Sequence, residues 1–486
     1  MSKAILWGAV LLFAAVAIGA IAASVLIFTE YQQVQSDIDS ETSQIAQLEN
    51  QVDALKAEID ESQERKKELS SYVSELEAEV EEKTLALTPE LTPTVEASGI
   101  DYDIYEALDT IELQVQEIRK LDLVEPVTRQ LFDRYDLAAW VERTLDEELS
   151  DEEEWRSVIE LAAFELVDLN IDLRGLMTDL YTEQIGGFYD YEEEALTIID
   201  DDHGFTALDK TVFVHELTHA LQDQHYDLEL LDSDDLNDDA ALALASLIEG
   251  DATLTMQIHM IQYLDASEMR QLFEESMSAE TQELEGSPPA IQAQLVFPYE
   301  AGFVFAQRLA ERGGFDELDK AYADIPQSTE HILHPELYLA GEVPIDVSLP
   351  PLTDTLGVEW EYIDSNVLGE FGLRLFLLEQ LEIEMASDAS AGWGGDTYVV
   401  FLHQEDQEIV MLSDIVWDSE DEADEFVNAI VEYGRQRFGW SGDGDVSDGL
   451  CWSDDYYLCL FQSEDETYLV RAPSEELVFE LIEVAR

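Results

Sequence analysis

Apolar positions change their period along the chain, and each change marks a different kind of element. From Ala4 to Phe28 they run on without a charge. As a helix this run reaches about 38 Å, more than the ~30 Å hydrocarbon core of a bilayer. It reads as an uncleaved transmembrane signal anchor within residues 1–30, although Ala20-Ile21-Ala22 also fits a signal-peptide cleavage site. Lys3 precedes the run and acidic, polar sequence follows it. That asymmetry predicts a single-pass cell-membrane protein with a cytoplasmic N-terminus and the bulk of the chain extracytoplasmic. The period then becomes a heptad. Ile38, Ile45, Val52, Ile59, Val73 and Val80 hold one seam position, and Leu48, Leu55, Leu69 and Leu76 hold the other. One helix cannot bury such a seam, so residues 31–85 are expected to form a coiled-coil stalk and a homo-oligomer; folding back on the same chain is the alternative. Thr88-Pro89-Glu90-Leu91-Thr92-Pro93 breaks the pattern, making 86–100 a linker.

Helical spacing of 3 and 4 dominates from Tyr102 to Glu183. It gives way to two short runs, Ile185–Tyr191 and Ala195–Ile199, joined by acidic turn residues, which predict an antiparallel hairpin. Thr211–Gln224 then reads as a buried helix, and Phe297 opens another that ends near Gly313-Gly314. Pro- and Asp-rich sequence at 343–354 suggests a boundary. Beyond a helix near 369–381, strands at 397–402, 409–412, 456–460 and 468–471 alternate with helices at 419–438 and 474–485. The expected fold class is α+β: anchor and stalk, a mainly helical domain over 101–342, and a small α+β domain over 343–486.

Charge narrows the partners. Of 486 residues, 23 are basic and 111 acidic, a net charge of −88. Such a surface repels nucleic acid and anionic lipid head groups. It suits high salt, where screening removes the self-repulsion. The two cysteines, Cys451 and Cys459, exclude both a disulfide scaffold and a thiolate metal site. Their place in a hairpin around Asp454-Asp455 admits a disulfide or two buried thiols. The acidic run Asp232–Asp239 lacks the glycine and the spaced oxygens of a calcium loop and reads as a solvated loop.

Chemistry concentrates in one helix, where His215-Glu216-Leu217-Thr218-His219 stands in an apolar setting. Imidazoles four residues apart project from one helix face and can share one Zn²⁺, with Glu216 beside the open coordination position as general base. Glu249, on a following helix, and His225, six residues after His219, compete as third protein ligand. The His225 spacing needs a chain-turning glycine at 222, where this sequence has Gln222, so Glu249 is preferred. His203, His259 and His403 have no supporting company and read as structural.

The run HELTHALQD resembles the zinc helix of the zincin metallopeptidases, in its thermolysin-like gluzincin form, over about residues 180–260. Asp223 matches the aspartate four residues beyond the second histidine, and Glu249 the third-ligand glutamate; the aspartate expected four residues later is replaced by Thr253. The resemblance implies a zinc metalloprotease in which His215, His219 and Glu249 hold the ion and Glu216 assists attack of water on a peptide carbonyl. It also implies a transition-state donor, for which Tyr299, His331 and His334 are the candidates. The substrate would be an extracytoplasmic protein or peptide. A catalytically silent adhesion or envelope scaffold on a stalk is the alternative reading, against which the retained Glu216 argues.

Overall fold

Capping residues start the helices that matter here. In the computed structural model, which describes residues 102–486 apart from 192, 200–204, 227, 229–235, 279–283, 285, 441, 445 and 447, helix α1 (Tyr102–Arg119) leads to strand β1 (Thr128–Phe132). Helices α2 (Arg134–Glu148), α3 (Asp151–Ala163) and α4 (Leu173–Gln184) follow, each opened by a side-chain cap from Asp133, Ser150 or Asp172. Strands β2 (Gly187–Asp190) and β3 (Ala195–Ile199) form the expected hairpin. Next come α5 (Ala207–Tyr226), α6 (Asp238–Tyr263), α7 (Ala266–Ser278), α8 (Pro289–Gly313) and α9 (Phe315–Ala321). Two short turns, α10 (Thr329–Leu333) and α11 (Pro335–Ala340), end this helical portion.

The remainder is built on a sheet. Helix α12 (Thr353–Leu356) precedes β4 (Trp360–Asn366), then α13 (Gly369–Leu378), α14 (Ile383–Ser390), β5 (Trp393–His403) and β6 (Ile409–Trp417). Helix α15 (Glu420–Phe438), strands β7 (Leu450–Ser453), β8 (Tyr457–Ser463) and β9 (Glu466–Ala472), and α16 (Glu475–Ala485) complete it. The six strands pair antiparallel in the order β4-β5-β6-β9-β8-β7. One face buries Phe401, Val410, Leu412, Phe461 and Val470 against Val478, Leu481 and Ile482 of α16. From Glu106 onward the described chain forms one unit. Polar contacts join its helical and sheet portions. The Tyr398 hydroxyl donates to Glu160 at 2.5 Å, and Arg156 reaches the carbonyls of Tyr362 and Ile363.

The expected transmembrane helix is corrected. The described residues are a mixed helical and sheet fold, and among them no helix is long and apolar enough to cross a membrane. The fold class with its anchor, and the cell-membrane location that rested on it, are withdrawn. The anchor run 4–28, the stalk 31–85 and the linker 86–100 lie outside the described residues, as does His203. Smaller differences have local causes. Strand β1 interrupts the stretch read as helical, because a five-residue apolar-polar run has no period of its own and is set by parallel pairing with β3. Helix α8 starts at Pro289 rather than Phe297, so Pro298 sits inside it. Strands β4 and β7 escape the pattern because only their register against β5 and β8 defines them. Cys451 and Cys459 face each other across β7 and β8 and are joined as a disulfide.

Candidate metal centre

Two buried helices, α5 and α6, create the site, and α8 crosses α6 beside it at small residues. Helix α5 opens where Asp209 accepts from the Thr206 N–H at 2.7 Å and the Thr206 hydroxyl oxygen accepts from the Asp209 N–H at 3.3 Å, a reciprocal cap. Every residue from Thr211 to Gln222 is buried, so this helix has no solvated face along its centre. Helix α6 opens where the Asn237 side chain accepts from the Ala240 N–H at 2.8 Å, and it is buried from Asp239 to Met256. Its alanines, Ser246 and Gly250 let α8 approach closely. A Cβ placed on Gly250 would lie 2.1 Å from the Gly302 carbonyl, and one on Gly302 would lie 2.1 Å from the Ser246 carbonyl. Only glycine fits a crossing that tight.

The packing of α5 on α6 gathers three donor atoms. Glu249 Oε2 lies 2.9 Å from His215 Nε2 and 3.5 Å from His219 Nε2, and the two Nε2 atoms are 3.0 Å apart. The rings meet nearly edge to face at 81°. A tetrahedral zinc site with ligands at roughly 2.0–2.1 Å has donor–donor edges of about 3.3 Å. The triad therefore has both the spacing and the chemistry to hold a divalent ion, and all three residues are buried. Glu249 Oε1 has no hydrogen-bond partner among the described residues, which leaves an acceptor for a cation. His225 is turned away and bonds the Asp122 carbonyl at 2.8 Å.

The charges around the triad are unequal. Burial lowers the His215 imidazole. Burial also acts to lower His219, but the adjacent Glu249 carboxylate outweighs it and pushes His219 up to about 9. Glu249 itself is held below the usual carboxylate value, because His219 and the bond to His215 overcome the cost of burial. Glu216 is fully enclosed. Burial, opposed by His219 and reinforced by Glu249, pushes it up to about 8, while its carboxylate accepts from the Tyr189 backbone N–H of β2. Its Oε2 has no protein partner among the described residues.

The other predicted residues are scattered. Tyr299, on α8, stacks on His215 with ring centres 6.0 Å apart and a 29° tilt. His331 sits elsewhere, accepting from the Gln327 N–H at 3.1 Å and packing edge-on against Tyr338. His334 pairs with Glu370 at 3.1 Å. His259 bonds Gln114, and His403 lies beside Asp406. Asp223 accepts from the Tyr189 hydroxyl at 2.9 Å.

Sequence reasoning missed the support for His219. Gln222 Oε1 lies 2.8 Å from His219 Nδ1, and Gln222 Nε2 donates to Asp251 at 3.1 Å. Gln222 stood out as the residue replacing a turn glycine, yet nothing in the pattern marked it as a hydrogen-bond bridge. Tyr191, just past β2, was also passed over: desolvation and then the nearby Glu249 charge raise its hydroxyl well above the usual range.

Comparisons with known proteins bear mainly on the sheet. A profile for a domain of unknown function, DUF8575, matches residues 358–482, which excludes the triad. No curated protein matches the chain. A solved structure from Chloroflexus aurantiacus, described as a provisional hydrolase with a novel fold, is 19% identical over 51% of this chain and 92% of its own, with a TM-score of 0.34. That likeness is too low to assign a fold or an activity.

Proposed function

We propose that the protein is a zinc-dependent hydrolase of the metallopeptidase class, acting on peptide bonds of a protein or peptide substrate. The observation that carries this reading is the convergence of His215 Nε2, His219 Nε2 and Glu249 Oε2 within 3.5 Å of one another in a buried site. Two imidazole nitrogens and one carboxylate are the donor set of catalytic rather than structural zinc sites. A zinc ion held there would supply Lewis-acid polarisation of a carbonyl and acidify a water molecule.

The chain's own residues supply the rest. Glu216 Oε2, enclosed and without a donor among the described residues, is placed to take a proton from the attacking water and return it to the leaving amine. The bond from the Tyr189 N–H holds that carboxylate in position. Tyr299, flat against His215, is the nearest of the predicted donors for a developing oxyanion. Strand β2 pairs only with β3 among the described strands, and its other edge runs beside Glu216. An extended peptide adding there would gain main-chain hydrogen bonds next to the base.

The test is zinc stoichiometry together with peptide hydrolysis, measured in high salt, for the wild type, Glu216→Gln and Glu249→Ala. Glu216→Gln is expected to keep one zinc per chain and lose roughly 10²–10⁴-fold in turnover, whereas Glu249→Ala loses the metal. Undiminished turnover in Glu216→Gln would remove the general base. Unaltered zinc in Glu249→Ala would remove the ligand triad.

A further inference from the structure

Behind the ligand face of His219 lies a line of buried polar contacts that reaches helix α1. Gln222 Oε1 lies 2.8 Å from His219 Nδ1. The amide can point only one way. Its Nε2 lies 3.0 Å from the Ile248 carbonyl and 3.1 Å from Asp251 Oδ2, and both of those atoms are acceptors. Oε1 therefore faces the imidazole, Nδ1 carries the hydrogen, and Nε2 is left as the ligating atom. Ile248 immediately precedes Glu249. One amide thus sets the tautomer of a histidine on α5 and ties that helix to the third donor on α6.

Asp251, one of the two acceptors that orient Gln222 and the one that a side chain supplies, is 0% exposed. Arg119, also 0% exposed, meets it with Nε 2.8 Å from Oδ1. The Tyr322 hydroxyl donates to Asp251 Oδ2 at 2.9 Å. The guanidinium is itself anchored by Asp319 at 2.6 Å and lies 4.9 Å over the Phe315 ring. A carboxylate buried among aromatic rings without that cation would turn toward whatever donor or water it could find. The Gln222 amide would then keep only the Ile248 carbonyl of the two acceptors that set its direction, and a reversed amide would offer His219 a donor in place of an acceptor. In that state Nε2 carries the hydrogen and cannot ligate.

We infer that Arg119, some hundred residues before the zinc helix, is a positioning residue of the metal centre. By pairing with Asp251 it fixes the direction of Gln222 and, through Gln222, the ligating form of His219. The inference rests on the metal-centre reading above, and its test separates the two.

Zinc affinity of the full chain is measured by chelator competition, with circular dichroism and metal-free melting as the check on folding. The Co²⁺-substituted protein gives an absorption spectrum that reports ligand geometry. Gln222→Met and Arg119→Met are each expected to weaken zinc binding roughly 10–100-fold and to alter the cobalt spectrum. Arg119→Lys, which keeps the charge without the fork, recovers part of that loss. Wild-type zinc affinity in a folded Gln222→Met overturns the inference whether or not Arg119→Met folds. Wild-type zinc affinity in a folded Arg119→Met overturns the positioning role of Arg119. A wild-type chain that binds no zinc refutes the metal-centre reading itself.

Discussion

Gly302→Ala puts the helix crossing to a direct test. The added Cβ would lie 2.1 Å from the Ser246 carbonyl oxygen and 2.9 Å from its carbon. Both are backbone atoms of a buried helix, so no side chain can rotate aside. An ordinary carbon–oxygen contact is about 3.3 Å, so α8 must retreat from α6 by roughly 1.2 Å at that point. Overpacking of this kind costs about 1–3 kcal/mol, expected as a fall of several degrees in Tm. Tyr299 lies three residues earlier on the same helix and stacks on His215, so the retreat also carries its ring off the metal triad. A displacement near 1 Å can cost about 100-fold in rate, while His215, His219 and Glu249, on the other two helices, still take up zinc. The assay is calorimetric melting, zinc stoichiometry and peptide turnover on one preparation. Gly286→Ala is the control, since a Cβ there meets nothing within 4 Å. Wild-type Tm and turnover in Gly302→Ala would refute the claim that this contact sets the distance between α8 and the site.

Stability should fall as the solution is made alkaline. Burial, followed by the Glu342 and Glu370 charges, pushes Glu330 up to about 9, and burial likewise raises Asp414 to about 7 and Asp396 to about 6. A carboxyl raised in the folded state binds its proton more tightly there than in the unfolded chain. Its contribution is complete below the unfolded value near 4.3 and is lost as pH rises through the folded value. Melting temperature should therefore decline between about pH 5 and pH 9, less steeply in Glu330→Gln; an identical slope in that variant would contradict the assignment. The Cys451–Cys459 bridge, with a sequence separation of 8, closes a short loop. Replacing both cysteines by serine should cost about 2–3 kcal/mol on the chain-entropy estimate. Unfolding in denaturant with the same midpoint for both proteins would show that the bridge adds nothing to stability.

The metal motif was legible in sequence because helical geometry alone puts His215 and His219 on one face, whatever surrounds them. The hairpin at 187–199 and the strand runs within β5 and β6 were legible for a similar reason, since short apolar runs bounded by turn residues mark strands. Glu249 could be nominated by its place on a following helix, but its approach to 2.9 Å of His215 is a property of two helices packing, not of either one. The same holds for β1, whose strand character comes from pairing with β3, 67 residues later in the chain. Arg119 left no trace in the pattern, because a buried guanidinium and an exposed one are the same letter. Only the fold reveals that Asp251, Asp319 and Phe315 enclose it. Local periodicity determines which atoms share a face, and a sequence carries that directly. The distances on which ligation depends, and the partners that orient each donor, are decided by long-range packing and exist only once the chain has closed on itself.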